Sequence, residues 1–297
     1  MNCPACLGKT CKTDVENPQD VEYFSTRSVT ATYEKCLQCQ SLFQSPWPSA
    51  EELGTLYPED YQNYTKKDIA LLSKFVDIQN KAVAKDFVKK FGANISVLDY
   101  GCGDGRFLQS LHELGLNDLV GYEPHTREDG IYKDFELTRD LNTLSLSHKK
   151  FDVIRMNHVI EHLADVDATM KALAGLLSPH GKIVVQTPNP DTLTRVIFGR
   201  FWGPLHYPYH TILFTPEGMN EGANRWGLRV ASVSGSTMPT GWSMSLENLL
   251  KTYTRSKRRG RLPIYGFLAM GGMAINILEK LFTPKRTAII DYILEAQ

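Results

Sequence analysis

The sequence predicts an α/β protein built on an open, mostly parallel sheet, preceded by a small cysteine-bearing ribbon. Three observations carry this. Val97–Tyr100 is a short apolar strand that runs through Asp99 into glycines at 101, 103 and 105 and then into a helical pattern. Further β-type segments at Leu119–Glu123, Phe151–Met156, Lys182–Thr187 and Leu228–Gly235 alternate with helical stretches, which favours parallel strands covered on both faces. Cys3-Pro4-Ala5-Cys6 and Cys36-Leu37-Gln38-Cys39 form two C-x-x-C pairs near the N-terminus.

Residues 1 to about 48 read as a ribbon of short strands that stops at Pro46-Trp47-Pro48, where proline ends regular pairing. Four thiolates from its two tight turns can surround one Zn²⁺ tetrahedrally, so Cys3, Cys6, Cys36 and Cys39 are candidate metal ligands. Two disulfides are the alternative, disfavoured in a reducing compartment. A redox pair is opposed because neither C-x-x-C opens a helix in a strand–helix unit. Cys11 is a spare ligand, and Cys102 a small filler in the glycine loop.

Ser49 caps a short helix with Glu51 and Glu52 in its first turn. Tyr57–Tyr64 is an aromatic connector, and 67–91 repeats apolar residues at helical intervals (Leu71, Leu72, Phe75, Val76, Ile78, Val83, Phe87, Val88). A helix follows Gly105 and stops at Gly115. A weak strand lies near Phe135–Leu137. Ala164–Leu177 reads as a helix ended by Ser178-Pro179-His180-Gly181, and Ala288–Leu294 as a last, β-branched strand. Trp242 to Arg286 is then a helical insertion before that strand. The division is 1–60 for the ribbon and connector and 61–297 for the α/β domain.

The glycine spacing separates two ligand classes. A dinucleotide loop is G-x-G-x-x-G with a helix N-terminus aimed at a pyrophosphate. Here the spacing is G-x-G-x-G, with Asp99 before it, Asp104 inside it, and Glu123 at the next strand end, where an open sheet holds ribose hydroxyls. So much negative charge opposes a pyrophosphate and suits an amino group and hydroxyls. This Asp-x-Gly-x-Gly-x-Gly loop resembles the first motif of class I S-adenosylmethionine-dependent methyltransferases. The resemblance implies a Rossmann-like, seven-stranded methyltransferase sheet with an antiparallel last strand. It also implies that Asp99, Gly101, Gly103 and Glu123 hold S-adenosylmethionine, with Asp140 near the adenine.

A third motif, Phe151 to Leu163, puts Asn157 and His158 at the carboxyl edge of the sheet and starts a turn at Glu161-His162. It resembles the post-strand segment of small-molecule methyltransferases, which implies that Asn157 contacts the cofactor. The Glu-His pair fixes the loop or touches substrate. A fourth cluster, Phe201 to His210, is dense in aromatics with polar tips, which can stack on a ring and still exchange a proton. With the helix start Thr215-Pro216-Glu217 it resembles methyltransferases of polysaccharide gene clusters, relatives that also carry a zinc-ribbon-like N-terminus. His210, with His158 as competitor, is the candidate general base, because an imidazole near pKa 6.5 works at neutral pH.

Charge and composition bound the partners. Lys plus Arg equals Asp plus Glu at 33 each in 297 residues, so no global field draws the chain to nucleic acid, and a loop of the Asn-Pro-Pro-Tyr type is missing. Met-Asn-Cys-Pro opens no secretory pattern, and no apolar run reaches the ~20 residues of a spanning helix, so the expectation is cytoplasmic. One segment qualifies this. Lys251, Arg255, Lys257, Arg258, Arg259 and Arg261 precede the uncharged run Ile264–Leu278, so 251–282 offers a peripheral membrane contact, a wall for a diphosphate-bearing acceptor, or a cap on the sheet or a second subunit. The expected activity is methyl transfer to a small acceptor, a sugar or sugar nucleotide first. The alternatives are a lipid or quinone at a membrane surface, and a non-catalytic binding protein on the same fold.

Overall fold

A computed structural model describes residues 2–25, 27, 29–56, 70–124, 130–132, 134–141 and 148–297. The aromatic connector, the start of the following helix and the boundary at residue 60 lie outside these. The N-terminal ribbon contains β1 (Cys11–Glu16), β2 (Thr32–Cys36) and β3 (Leu42–Ser45), all antiparallel. Helix α1 (Ala50–Leu56) starts where Ser49 Oγ accepts from Glu52 N at 3.1 Å. Helix α2 (Ala70–Phe91) buries Ala84 and Phe87 but leaves Ile78 and Val83 exposed, so its apolar stripe is narrower than the sequence pattern.

The main sheet begins with β4 (Val97–Tyr100), followed by α3 (Arg106–His112), β5 (Leu119–Tyr122), β6 (Gly130–Tyr132), β7 (Phe135–Thr138) and β8 (Phe151–Asn157). Then come α4 (Val166–Gly175), β9 (Leu177–Pro188), α5 (Leu193–Phe198), the two-residue strand β10 (Ile212–Leu213), α6 (Pro216–Arg225) and β11 (Leu228–Gly235). Helices α7 (Thr240–Tyr253) and α8 (Tyr265–Phe282) form the expected insertion before β12 (Ile289–Ala296). The order is β11-β12-β9-β8-β4-β5-β7-β6, with β4, β5, β7, β8 and β9 parallel and β12 antiparallel between β9 and β11. Seven of these strands are the expected set. The eighth, β6, is an edge strand that pairs antiparallel with β7.

Two boundaries differ from the sequence reading. Helix α4 ends at Gly175, and Leu177 already pairs with Phe151. Ser178–Gly181 is therefore a bulge within β9 and not a helix terminator. Ser178 Oγ donates to Asp152 at 2.7 Å, and a Cβ on Gly181 would stand 2.6 Å from the Phe151 carbonyl oxygen.

The ribbon is also joined to the α/β part more closely than its cysteine pattern indicates. Strand β10 extends the ribbon sheet by pairing Ile212 with Phe43 and Leu213 with Leu42. Tyr33 and Phe43 are fully buried, and one apolar cluster contains Cys3, Cys36, Cys39 and Phe43 together with core residues of the main sheet such as Ile183 and Tyr292.

Candidate functional site

The carboxyl ends of β4, β5, β8 and β9 bring three sequence motifs together. In the glycine loop, Gly101, Gly103 and Gly105 have φ of +79°, +56° and +73°, a region costly for side-chain-bearing residues. Their surroundings differ. A Cβ on Gly101 would lie 2.5 Å from a Val159 methyl, and one on Gly105 would lie 2.4 Å from the Phe135 ring. A Cβ on Gly103 would meet nothing within 4 Å. Gly101 and Gly105 thus let the loop pack on the protein, and Gly103 presents bare backbone to open space. At the end of β5, Glu123 accepts from Gly103 N at 3.0 Å, so this carboxylate stands at the rim of that space. Asn157 is half-buried at the end of β8, and Asp140 is exposed just beyond β7.

Asp99 lies beneath the loop, 1% exposed, and accepts from Arg155 Nη1 at 2.8 Å. The two are register partners on β4 and β8, and the guanidinium lies 3.9 Å from the centre of the Phe107 ring. This ion pair links β4 to β8 directly before the glycine loop. Arg155 was not singled out in the sequence because only the strand register identifies it.

The third and fourth motifs meet over the ends of β8 and β9. His158 adopts φ +55°, and its N–H donates to the Gln186 carbonyl at 2.9 Å. Its Nδ1–H points to Glu161 Oε1 at 3.1 Å, while the imidazole remains 28% exposed. Glu161 is fully buried, and its other oxygen accepts from Thr187 Oγ1 at 2.9 Å. Burial opposes its charge, but the hydrogen bond from His158 and the nearby His158 and His162 outweigh that and hold its carboxyl below the usual range. The Glu161 carbonyl accepts from Thr211 N at 2.7 Å, which ties the helical turn at 160–162 to the His210 segment.

That segment is gripped by the ribbon. Tyr33 OH donates to the His210 carbonyl at 2.6 Å, and Gln44 Nε2 donates to the Pro208 and His210 carbonyls at 2.7 and 2.8 Å. His210 is 6% exposed, and its Nδ1–H donates to the Pro204 carbonyl at 2.8 Å. Its ring meets His162 edge-on at 4.6 Å and His206 at 5.0 Å. Burial, then the neighbouring His162 and His206, push His210 well below the ordinary imidazole value. Burial likewise lowers His162 to about 4, and its Nδ1–H donates to the Tyr209 carbonyl. Glu161, His162 and His210 bring possible ligand atoms within 4.8 Å of one another, and both carboxylate oxygens of Glu161 are already taken by His158 and Thr187.

In the ribbon, the four cysteines converge as expected. Cys3 and Cys39 sulfurs lie 3.7 Å apart and those of Cys6 and Cys36 3.5 Å apart, all four within 4.8 Å. A tetrahedral zinc with ~2.3 Å bonds to sulfur needs an edge of about 3.8 Å, so the donor set fits that ion. Gly8, unnoticed in the sequence, donates its N–H to Cys6 Sγ at 3.4 Å. A Cβ there would lie 3.1 Å from Cys6 Sγ and 3.3 Å from Cys36 Sγ.

An open parallel sheet with an acid-rimmed glycine loop at its carboxyl edge defines a nucleoside-binding α/β enzyme. A model of the methyltransferase domain family matches residues 74–233. The chain belongs to that family and is an S-adenosylmethionine-dependent methyltransferase. A ubiquinone biosynthesis O-methyltransferase of Cereibacter sphaeroides is 27% identical over 195 residues, 58% of this chain and 78% of that protein. One from Ruegeria pomeroyi is 25% identical over 210 residues, 63% of this chain and 84% of that protein. A SAM-dependent methyltransferase structure from Archaeoglobus fulgidus is 20% identical with TM-score 0.46, covering 74% of this chain and 94% of that one. The bare backbone at Gly103 and the Glu123 carboxylate beside it leave this edge open to a cofactor with hydroxyl groups.

Gly103→Ala should weaken S-adenosylmethionine binding by calorimetry at least tenfold while costing only about 1 kcal/mol of stability. Gly101→Ala should lower the melting temperature more, because Val159 must also move. The buried histidines set the acid limit. The unfolded chain binds protons near pH 6.5, and folded His162 only near 4. Stability is therefore full above about 6.5 and falls as pH drops through that window, which thermal melts across pH would show.

Proposed function

We propose that this chain methylates a hydroxyl oxygen on a small, quinol-type ring, with His158 taking the proton and Glu161 holding His158. The observation that carries this reading is the His158–Glu161 pair, an exposed imidazole edge backed by a buried carboxylate, one residue from the Val159 side chain that packs on Gly101. Bound S-adenosylmethionine supplies a methyl group on a sulfonium, already electrophilic. The residues of this chain must align the acceptor and accept its proton. With Nδ1–H committed to Glu161, the His158 Nε2 carries the lone pair. Glu161 stabilises the imidazolium as it forms. In this reading Glu123 takes the ribose hydroxyls, Gly101 and Gly103 shape the cofactor cradle, Asn157 lies beside it, and Asp99 acts through the loop it precedes.

His210, the first candidate by sequence, takes second place. Its burial and its bond to the Pro204 carbonyl make it a neutral wall residue that orients the acceptor loop, and a base only if that loop opens. The acceptor also changes. The ubiquinone-pathway relatives favour a quinone-type ring over the sugar or sugar nucleotide that the polysaccharide-type resemblance implies. Cys3, Cys6, Cys36 and Cys39 hold a structural zinc in this proposal. The ion keeps Tyr33 and Gln44 in place, and these residues set the backbone of the His210 segment.

Incubation with labelled methyl donor and parallel panels of hydroxylated quinone precursors and sugar nucleotides tests the acceptor. Label in the ring compounds is expected, and label confined to sugars overturns the reading. His158→Gln should cut kcat at least a hundredfold with cofactor affinity within about threefold of the parent. Cys39→Ser should lose bound zinc by metal analysis and lower both melting temperature and kcat, while calorimetry still detects cofactor binding.

A further inference from the structure

Helix α8 has its polarity reversed relative to a packed surface helix. The residues it buries include Asn276 and Glu279, and those it exposes are apolar: Phe267 79%, Met270 74%, Leu278 56%, Leu281 73% and Phe282 84%. The buried polar side chains bond inward, with Asn276 Oδ1 left without a partner. Asn276 Nδ2 donates to the Ser236 and Met238 carbonyls at 3.1 and 2.9 Å, and Glu279 accepts from Trp242 Nε1 at 3.2 Å and Thr192 Oγ1 at 3.3 Å. The protein thus uses its polar stripe for internal docking and leaves an apolar face of about five turns uncovered. Helix α5 adds exposed Val196 (75%) and Ile197 (53%), and the Thr192–Glu279 bond fixes its start beside α8. Since α5 follows the carboxyl end of β9, this face adjoins the ligand edge of the sheet.

Charge identifies the occupant. Residues 251–286 hold nine basic side chains and one acidic one, in a chain whose total is balanced. Lys251 and Arg261 are spent internally. Lys251 donates to the Val21 and Gly260 carbonyls, and Arg261 pairs with Glu247 at 3.0 Å and Glu22 at 3.3 Å. The expected basic cluster is therefore smaller at the surface. Arg255, Lys257 and Arg258 remain exposed before α8 and Lys285 after it, while the exposed Arg286 pairs with Asp191 at 2.7 Å. No helix among the described residues is long and apolar enough to cross a membrane.

We propose that α8 lies in the plane of an anionic lipid surface, with Phe267, Met270, Leu281 and Phe282 in the acyl boundary and the flanking cations on headgroups. An apolar face flanked by cations is the pattern of an interfacial helix. Pairing with a second copy fits less well. Parallel or antiparallel, it sets the cationic ends of one helix against those of the other without an acidic partner. The proposal is independent of the acceptor's identity, and its test reads binding alone.

The full chain is floated with phosphatidylcholine vesicles with and without phosphatidylglycerol, at low and high salt. Co-flotation with the anionic vesicles that weakens with salt is expected. F267S/M270S/L281S, all at exposed positions, should abolish it with the melting temperature unchanged. K257E/R258E should lower the partition coefficient about tenfold. No flotation with anionic vesicles at low salt overturns the proposal. So does retained flotation of the triple serine variant, or a dimer in sedimentation equilibrium that the same variant dissociates.

Discussion

The site depends on one buried charge. Glu161 is ionised with no solvent contact, a state tolerated only when every lone pair that matters finds a donor. Its carboxylate takes the His158 ring on one side and the Thr187 hydroxyl of β9 on the other, and its backbone carbonyl takes Thr211. One residue therefore fixes the end of β8, the end of β9 and the segment leading to His210. This accounts for His158 being held in a left-handed backbone conformation at the sheet edge. Three independent anchors over-determine a geometry that a free loop would relax.

Much of the architecture was readable because its signals are local. The Asp99-to-Gly105 loop, the Ser49 and Thr215 caps and the two C-x-x-C turns each specify a conformation within a few residues, and each stands where the sequence puts it. What was not readable depends on distant partners. Strand β10 has only two residues and exists because Phe43 and Leu42 lie opposite. Arg155 looks like a polar interruption in a strand until the register sets it beside Asp99. Ser178-Pro179-His180-Gly181 carries the composition of a helix stop, yet the pairing of Leu177 with Phe151 absorbs it as a bulge. Helix α8 misleads for a related reason. Its attachment points are the polar Asn276 and Glu279, whose partners at 192, 236, 238 and 242 are distant in sequence.

The ribbon and the histidine segment are best seen as one unit. Tyr33 and Gln44 reach from β2 and β3 to carbonyls at 208 and 210, Tyr209 OH meets Ser25 at 2.7 Å, and the Arg225 guanidinium reaches the Pro4 and Ala5 carbonyls in the first cysteine turn. Backbone carbonyls are fixed directional acceptors, so these bonds set the path of the chain and not merely its proximity. The N-terminal ribbon thus sets the backbone of the His210 segment over the ends of β8 and β9.

The position of β12 bears on how the molecule is made. This strand sits between β9 and β11, yet it follows both in sequence. While a ribosome is extending the chain, β9 and β11 must wait with open edges, each presenting unpaired amides and carbonyls, until residues 289–296 emerge and slot between them. Assembly of this half of the sheet therefore waits on β12, and until it docks the facing edges of β9 and β11 are open to mispairing.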